Sequence, residues 1–198
     1  MNVPLGKNLV GAFYEADYLF MDTLTLKSLP KREFLSGMAE VIKHSLIADA
    51  EYFSFLERNV DPILNGDEEA IGKMILESVR IKNKVVKEDS KEGGIRRILN
   101  FGHTIGHAVE LLDNYQTSHG EAVVLGCLVE GAISLNLGYL NEQEFERLEN
   151  IFRLFGMLPD KENKYIFSDL LKAMLLDKKA EHKTARFVLL ESIGKACS

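Results

Sequence analysis

From Ser118 to about Leu137 the chain carries a helix start followed by an almost unbroken apolar run. That stretch restricts the architecture more than any other. Ser118-His119-Gly120-Glu121 has the spacing of a capping box, in which a serine hydroxyl and a glutamate three residues later each satisfy the other's backbone N–H. The run Ala122 to Val129 then contains no charge at all. A helix that apolar on all sides has no face to offer water, so it must be buried on most of them. It falls far short of the roughly 18 residues that span a bilayer, so the cover has to be protein.

The rest of the chain supplies that cover as helices. Between Asp67 and Lys87, apolar residues recur at Ile71, Met74, Ile75, Val79 and Val86, with Lys82 in the same row. Asp67, Glu68 and Glu69 open this helix and Lys84 and Lys87 close it, as the helix dipole favours. Further helices are predicted from Gly37 to about Ala48 behind an N-cap at Ser36, and from Glu51 to Arg58, ended by Pro62 and Gly66. Three more run from Asn100 to Leu112, from Asn141 to Phe155, and from an N-cap at Ser168 to Leu176. Only Arg186 to Leu190, and the opening Leu9 to Phe13, read as strand. The expected fold is mainly α: one helical, bundle-like domain with at most a short strand or hairpin.

Lys plus Arg number 24 against 30 Asp plus Glu, a net charge of −6. That balance argues against nucleic acid and anionic membrane as partners but is compatible with a small basic pocket. Cys127 and Cys197 form no CxxC pair, which fits reduced, intracellular thiols. No secretory signal opens the chain, and a cytoplasmic location is expected. Met1 runs almost at once into a Pro-Leu-Gly loop, so an element upstream is expected to be missing.

Chemistry concentrates around three of the five histidines. His103 and His107 lie one turn apart on one helix face, and His119 starts the next helix. By spacing alone, a shared metal or anion competes evenly with capping and core-edge histidines. Glu40 sits among Gly37, Met38, Ala39, Val41 and Ile42, where a lone carboxylate is costly. From that segment alone, a simple helix pair with Lys43 is the favoured reading. Two imidazoles and a carboxylate are also the ligand set of a catalytic zinc. Lys82, Arg96, Asn100 and the Gly93-Gly94 loop form a third group, readable as a phosphate site or as solvated cations. No GxGxxG or Walker sequence occurs.

Taken together, PLGKNLVGAF, SLPKREFLSGMAEVIKH, VVKEDSKEGGIRRILNFGHTIGHAVE, HGEAV, DKK and RFVLLESIGKA resemble, in that order, segments of the 3-dehydroquinate synthase family. The resemblance runs from about Pro4 to Ala196 and is to the C-terminal helical domain, with residues 1–30 as the lead-in from an absent nucleotide-binding domain. It implies NAD- and zinc- (or cobalt-) dependent cyclisation of 3-deoxy-D-arabino-heptulosonate 7-phosphate to 3-dehydroquinate with loss of phosphate, in the shikimate pathway. It implies Glu40, His103 and His119 as metal ligands, with His107 beside them rather than among them. Asn8, Lys43, Lys82, Arg96 and Asn100 match substrate-binding positions, and Lys43, Glu92 and His107 match catalytic ones. Lys7 and Thr25, Leu26, Lys27 and Ser28 match positions near NAD, and one of Lys178 and Lys179 reaches the substrate. The partner implied is an anionic sugar phosphate, in a homo-oligomer. The isolated chain is expected to hold zinc but to lack most NAD contacts and to be silent alone. Alternatives are a related sugar-phosphate cyclase, a metal-dependent polyol dehydrogenase, or a non-catalytic zinc-binding module.

Overall fold

The apolar run is the central helix of the fold. In the computed structural model, which describes residues 10–11, 16–89, 94–159, 165–177 and 186–197, eight α-helices are followed by one hairpin. The helices are α1 (Lys31–Ala48), α2 (Ala50–Arg58), α3 (Val60–Leu64), α4 (Glu68–Glu88), α5 (His103–Leu112), α6 (His119–Asn136), α7 (Glu142–Leu154) and α8 (Phe167–Asp177). The hairpin pairs β1 (Leu189–Ser192) antiparallel with β2 (Lys195–Cys197). Helix α6 packs on α5, α1, α7 and β1, so that Val123, Val124, Gly126 and Cys127 are buried along it. Helix α1 packs in turn on α2 and α4, and α5 on α8. Phe53, Phe101, Phe152, Met38, Leu46 and Leu148 fill the interior. Each such side chain contributes about 1.5–3 kcal/mol by leaving water. No helix among the described residues is long and apolar enough to cross a membrane, and Cys127 and Cys197 are both free thiols.

The capping box forms as expected: Ser118 Oγ accepts from Glu121 N at 3.3 Å, and Glu121 Oε2 accepts from Ser118 N at 2.8 Å. Helix α1 departs from expectation by starting six residues early, at Lys31 behind Pro30, whose carbonyl accepts from Glu33 and Phe34. Ser36 is therefore no cap of its own helix. Its Oγ accepts from Gly120 N at 3.0 Å and caps α6 instead. A Cβ at Gly120 would lie 2.3 Å from Ser36 Cα, so only glycine lets α6 begin against α1.

The expected helix over 100–112 is split. Ile95–Asn100 winds as a 3-10 turn, Gly102 adopts φ 78°, and α5 starts at His103. A left-handed residue cannot sit inside a right-handed helix, so the glycine divides the two. Pro62, expected to end a helix, lies inside the short helix α3, near enough to its start that its missing N–H is harmless. Ser168 falls inside α8 rather than capping it. The strand expected at 186–190 starts three residues later, and the hairpin that the fold class allows is completed by β2 at Lys195–Cys197. Their turn is seated on the end of α1, where Gly194 N donates to Leu46 O at 2.8 Å. Of the Leu9–Phe13 segment only Val10 and Gly11 are described, and neither is in a strand.

Arg32 of α1 grips the start of α6 with both sides of its guanidinium: Nε to Glu121 Oε1 at 3.1 Å and Nη2 to Oε2 at 2.8 Å. The hydrogen bond from Arg32 holds the Glu121 carboxyl down to about 2, against the opposing pull of burial. A carboxylate depressed in the folded state stabilises the fold above its ordinary value of 4.5 and loses that contribution as pH falls toward about 2. The stability gap between wild type and Glu121→Gln should therefore be steady near neutrality and close across that window. Urea melts of both proteins from pH 7 downward check this, and a gap independent of pH would contradict it.

Candidate metal centre

Three elements far apart in sequence meet at one point. Glu40 comes from the middle of α1, His103 is the first residue of α5 and His119 the first of α6. One ligand atom from each lies within 4.8 Å of the other two. Glu40 Oε1 is 3.5 Å from His103 Nε2 and 3.4 Å from His119 Nε2. The other oxygen, Oε2, accepts from Lys43 Nζ at 2.6 Å, and Lys43 is only 2% exposed. Both readings of Glu40 thus hold at once: it pairs with Lys43 and it faces two imidazoles.

The cluster fits a divalent cation on its own geometry. Glu40 Oε1 is buried and has no hydrogen-bond partner, an arrangement that costs about 1–3 kcal/mol or more. Two ring nitrogens face it, Nε2 of His103 and Nε2 of His119, and a neutral imidazole nitrogen gives a cation its lone pair. His103 Nδ1 lies 3.1 Å from the Phe101 carbonyl, which can only accept, so the ring proton sits on Nδ1 and Nε2 is left open toward Glu40. Burial pushes the His103 imidazole down to about 4, with Lys43 adding to it, which keeps the ring neutral as a ligand must be. Glu40 is held below the ordinary carboxylate range: burial would raise it, but the adjacent His119 ring and the charge of Lys43 outweigh that. His119 is raised, chiefly by the Glu40 carboxylate facing its ring. His119 is 45% exposed and His103 14%, so the point of convergence opens on one side. Three protein ligands and an open position distinguish a catalytic zinc site from a structural one.

Sequence reasoning passed over Glu110. This carboxylate is nearly buried on α5, and its Oε1 lies 3.4 Å from His119 Nδ1. A carboxylate behind a ligating imidazole fixes the ring's tautomer and aim. The available signal was a charge within the apolar run Ala108-Val109-Glu110-Leu111-Leu112.

The other expected residues distribute unevenly. His107 is half-buried, with its ring edge-on to His103 at 5.4 Å between centroids and 6.4 Å from His119. It lies beside the converging trio. Lys82 is exposed on α4, one turn beyond Ser78, whose Oγ is 2.7 Å from Nδ1 of buried His44 on α1. Arg96 and Asn100 lie half-buried in the 3-10 turn leading to Gly102. The glycine loop before that turn already has an anion: Asp89 Oδ2 accepts from Gly94 N at 2.7 Å and from Arg96 N at 3.1 Å. Those two backbone donors are therefore not free for phosphate. Thr25, Leu26, Lys27 and Ser28 form a 3-10 turn tied to the first residue of α4 through Lys27 Nζ–Glu68 Oε1 at 2.9 Å. That is roughly 20 Å along the helix from Lys82 at 1.5 Å per residue, so this segment does not join the cluster. Lys7, Asn8, Glu92, Lys178 and Lys179 lie outside the described residues. A cavity of about 750 Å³ between α1, α5, α6 and the segment before α8 is lined by none of the described site residues. The chemistry lies outside it.

Comparison with known proteins converges on one group. The family model for the 3-dehydroquinate synthase C-terminal region matches residues 37–180, and that for the N-terminal region matches residues 1–36. The chain is 44% identical over 196 residues to the 3-dehydroquinate synthase of Thermodesulfovibrio yellowstonii, covering 98% of this chain and 55% of that protein. It is 45% identical over 197 residues to that of Acidithiobacillus ferrooxidans (strain ATCC 53993 / BNL-5-31), covering 99% and 54%. Among solved structures, 2-epi-5-epi-valiolone synthase (ValA) from Streptomyces hygroscopicus subsp. jinggangensis, with NAD+ and Zn2+ bound, superposes with a TM-score of 0.84 at 26% identity over 99% of this chain and 55% of that one. A 2-deoxy-scyllo-inosose synthase complexed with carbaglucose-6-phosphate, NAD+ and Co2+ gives 0.85 at 27% identity, over 100% and 55%. The chain spans about half the length of the relatives it matches. With two family models joined end to end across its first 180 residues, this chain belongs to the 3-dehydroquinate synthase family.

Proposed function

We propose that this chain is the metal- and substrate-binding part of a 3-dehydroquinate synthase, converting 3-deoxy-D-arabino-heptulosonate 7-phosphate to 3-dehydroquinate and phosphate with NAD and zinc. The observation that carries this reading is the convergence of Glu40, His103 and His119 around an orphaned carboxylate oxygen beside the buried Lys43. It is supported by relatives named for that reaction and by neighbours holding NAD+ with Zn2+ or Co2+, one of them with a sugar-phosphate analogue. When bound, zinc on Glu40, His103 and His119 supplies a Lewis acid for a substrate hydroxyl, and NAD supplies a reversible hydride acceptor.

The protein's own groups bind and orient. Arg96 offers a fork of donors to a phosphate or carboxylate, Lys82 adds a point charge, and Asn100 bonds a hydroxyl. Their cations neutralise a multiply charged substrate within an acidic protein. Lys43, locked by Glu40, places a positive charge at the metal's edge. His107, beside His103, and Glu92 move protons and orient water. Residues 1–30 lead in from a nucleotide-binding half, and the 198 residues alone hold zinc without sustained turnover.

The test is phosphate release with zinc and NAD, measured on the chain alone and on the chain joined to the nucleotide-binding half of a relative. Turnover is expected from the joined protein. In it, Arg96→Ala should lower kcat/KM by about a hundredfold or more, since a charged contact in a shielded site is worth about 3 kcal/mol. Unchanged kinetics would make Arg96 a solvated surface residue. A joined protein that binds zinc and NAD but leaves this substrate intact would favour a sister sugar-phosphate cyclase, the class of the two structural neighbours.

A further inference from the structure

Glu130 is a wholly buried carboxylate on a helix whose other interior residues are small or apolar. Removing an ionised carboxylate from water costs several kcal/mol, and an aliphatic side chain of that volume would pack at this position without it. One contact of the Glu130 carboxyl group is plain. Its Oε2 accepts from Gly102 N at 2.8 Å, inside the protein. Gly102 is the left-handed residue between the 3-10 turn and α5, so its N–H stands outside both helical ladders.

The surroundings leave that turn little freedom. A Cβ on Gly126, one helical turn before Glu130, would lie 1.8 Å from Gly102 O. A Cβ on Gly102 would lie 2.6 Å from Cys127 Sγ. Backbone is thus pressed on backbone, and the Glu130 carboxyl group pins the Gly102 amide at the contact. Ser134, a further turn along, donates to the Glu130 carbonyl at 2.8 Å and accepts from Leu190 N at 3.0 Å, tying this stretch of α6 to β1. The residue after Gly102 is His103, and the carbonyl before it, that of Phe101, takes the His103 Nδ1 proton. Both peptide groups that set the direction of this imidazole belong to the turn that Glu130 holds.

We propose that Glu130 is a positioning residue for the metal centre: through the Gly102 amide it fixes the turn that aims His103 Nε2 at the point shared with Glu40 and His119. This rests on the metal reading above. It adds a residue on the far side of α6's contact with the turn, in no contact with the ion itself.

The test uses the full 198-residue chain with cobalt, reading affinity by competition with a chelator and geometry from the d–d absorption bands. Melting in chelator reports the fold separately. Glu130→Met removes the acceptor, and cobalt affinity should fall by about tenfold to a hundredfold with altered bands, the range seen when a ligand's support is removed. Glu130→Gln keeps a neutral acceptor, weaker than a carboxylate, and should lose about two- to fivefold with a smaller spectral change. A merely structural role would lower the melting temperature and leave affinity and bands as in wild type; that result in a folded Met variant overturns the proposal. Should the Met variant not fold, the Gln variant decides, and wild-type affinity and bands there overturn it equally. A wild type that binds cobalt no better than a His103→Ala/His119→Ala variant overturns the metal reading itself, which is a different outcome.

Discussion

Glu40→Ala is expected to lose at least a hundredfold in zinc affinity and about 3 kcal/mol of stability in a single substitution. The first effect follows from the ligand count. Structural zinc held by four groups binds with about 10–16 kcal/mol, so one ligand of three is worth no less than about 3. The second follows from Lys43, whose ammonium is almost fully enclosed with its nitrogen 2.6 Å from Glu40 Oε2. Removing one partner of a buried pair costs about 3–5 kcal/mol because the remaining charge stays in a low-dielectric site. Relief of the orphaned Oε1 returns a part of this. Urea unfolding in the presence of chelator isolates the stability term, and competition with a chromophoric chelator measures the zinc term. Adding Lys43→Met to Glu40→Ala should restore most of the stability and none of the zinc binding, since only the charge imbalance is removed. Zinc affinity within threefold of wild type in Glu40→Ala would remove this residue from the ligand set.

Gly126→Ala should be the most disruptive methyl addition among the glycines whose surroundings are described. The new carbon would fall 1.8 Å from the Gly102 carbonyl oxygen and 2.6 Å from its carbon, and neither can rotate away as a side chain would. Helix α6 has to retreat from the start of α5, or the Gly102 turn has to swing. Overpacking of this kind costs about 3 kcal/mol or more, which for a chain of this length lowers the melting temperature by roughly 6–12 °C. Because the turn carries His103, zinc affinity should fall with it. Gly72→Ala is the control: nothing lies within 4 Å of its added carbon, inside helix α4. That substitution should stabilise by about 0.5–1 kcal/mol through helix propensity alone. Equal melting temperatures for the two variants would mean that α5 and α6 are not in the contact described.

The two substitutions mark the border between local and non-local information in this chain. The start of α6, the start of α7 near Asn141 and the acidic start of α4 at Asp67 were legible because caps and apolar periodicity act over three or four residues. Helix α1 was misread at its start for the same reason inverted. Ser36 looks like an N-cap in its own segment, and nothing nearby in sequence shows that its hydroxyl serves Gly120. Gly102 looked like a residue within a helix because its left-handed conformation is imposed by α6 pressing against it, not by its neighbours in the chain.

The site divides along the same line. Composition and spacing determined that three histidines, an embedded glutamate and a group of cations were present, and motif resemblance assigned a ligand set among them. Spacing put His103 and His107 one turn apart on one helix face. The tertiary structure brings His119 equally close to His103, with ring centroids 5.3 Å apart against 5.4 Å for His107, and adds Glu40 from α1. Glu110 behind His119 and Glu130 behind the Gly102 turn were likewise invisible as partners, although each was visible as a charge in an apolar run. A capping box closes within a single turn of chain, so its residues carry their own geometry. A ligand set drawn from the middle of one helix and the first residues of two others has none until α1, α5 and α6 are packed against each other. Which atoms then meet is decided by how closely the backbones can approach, at Gly120 against Ser36 and at Gly126 against Gly102.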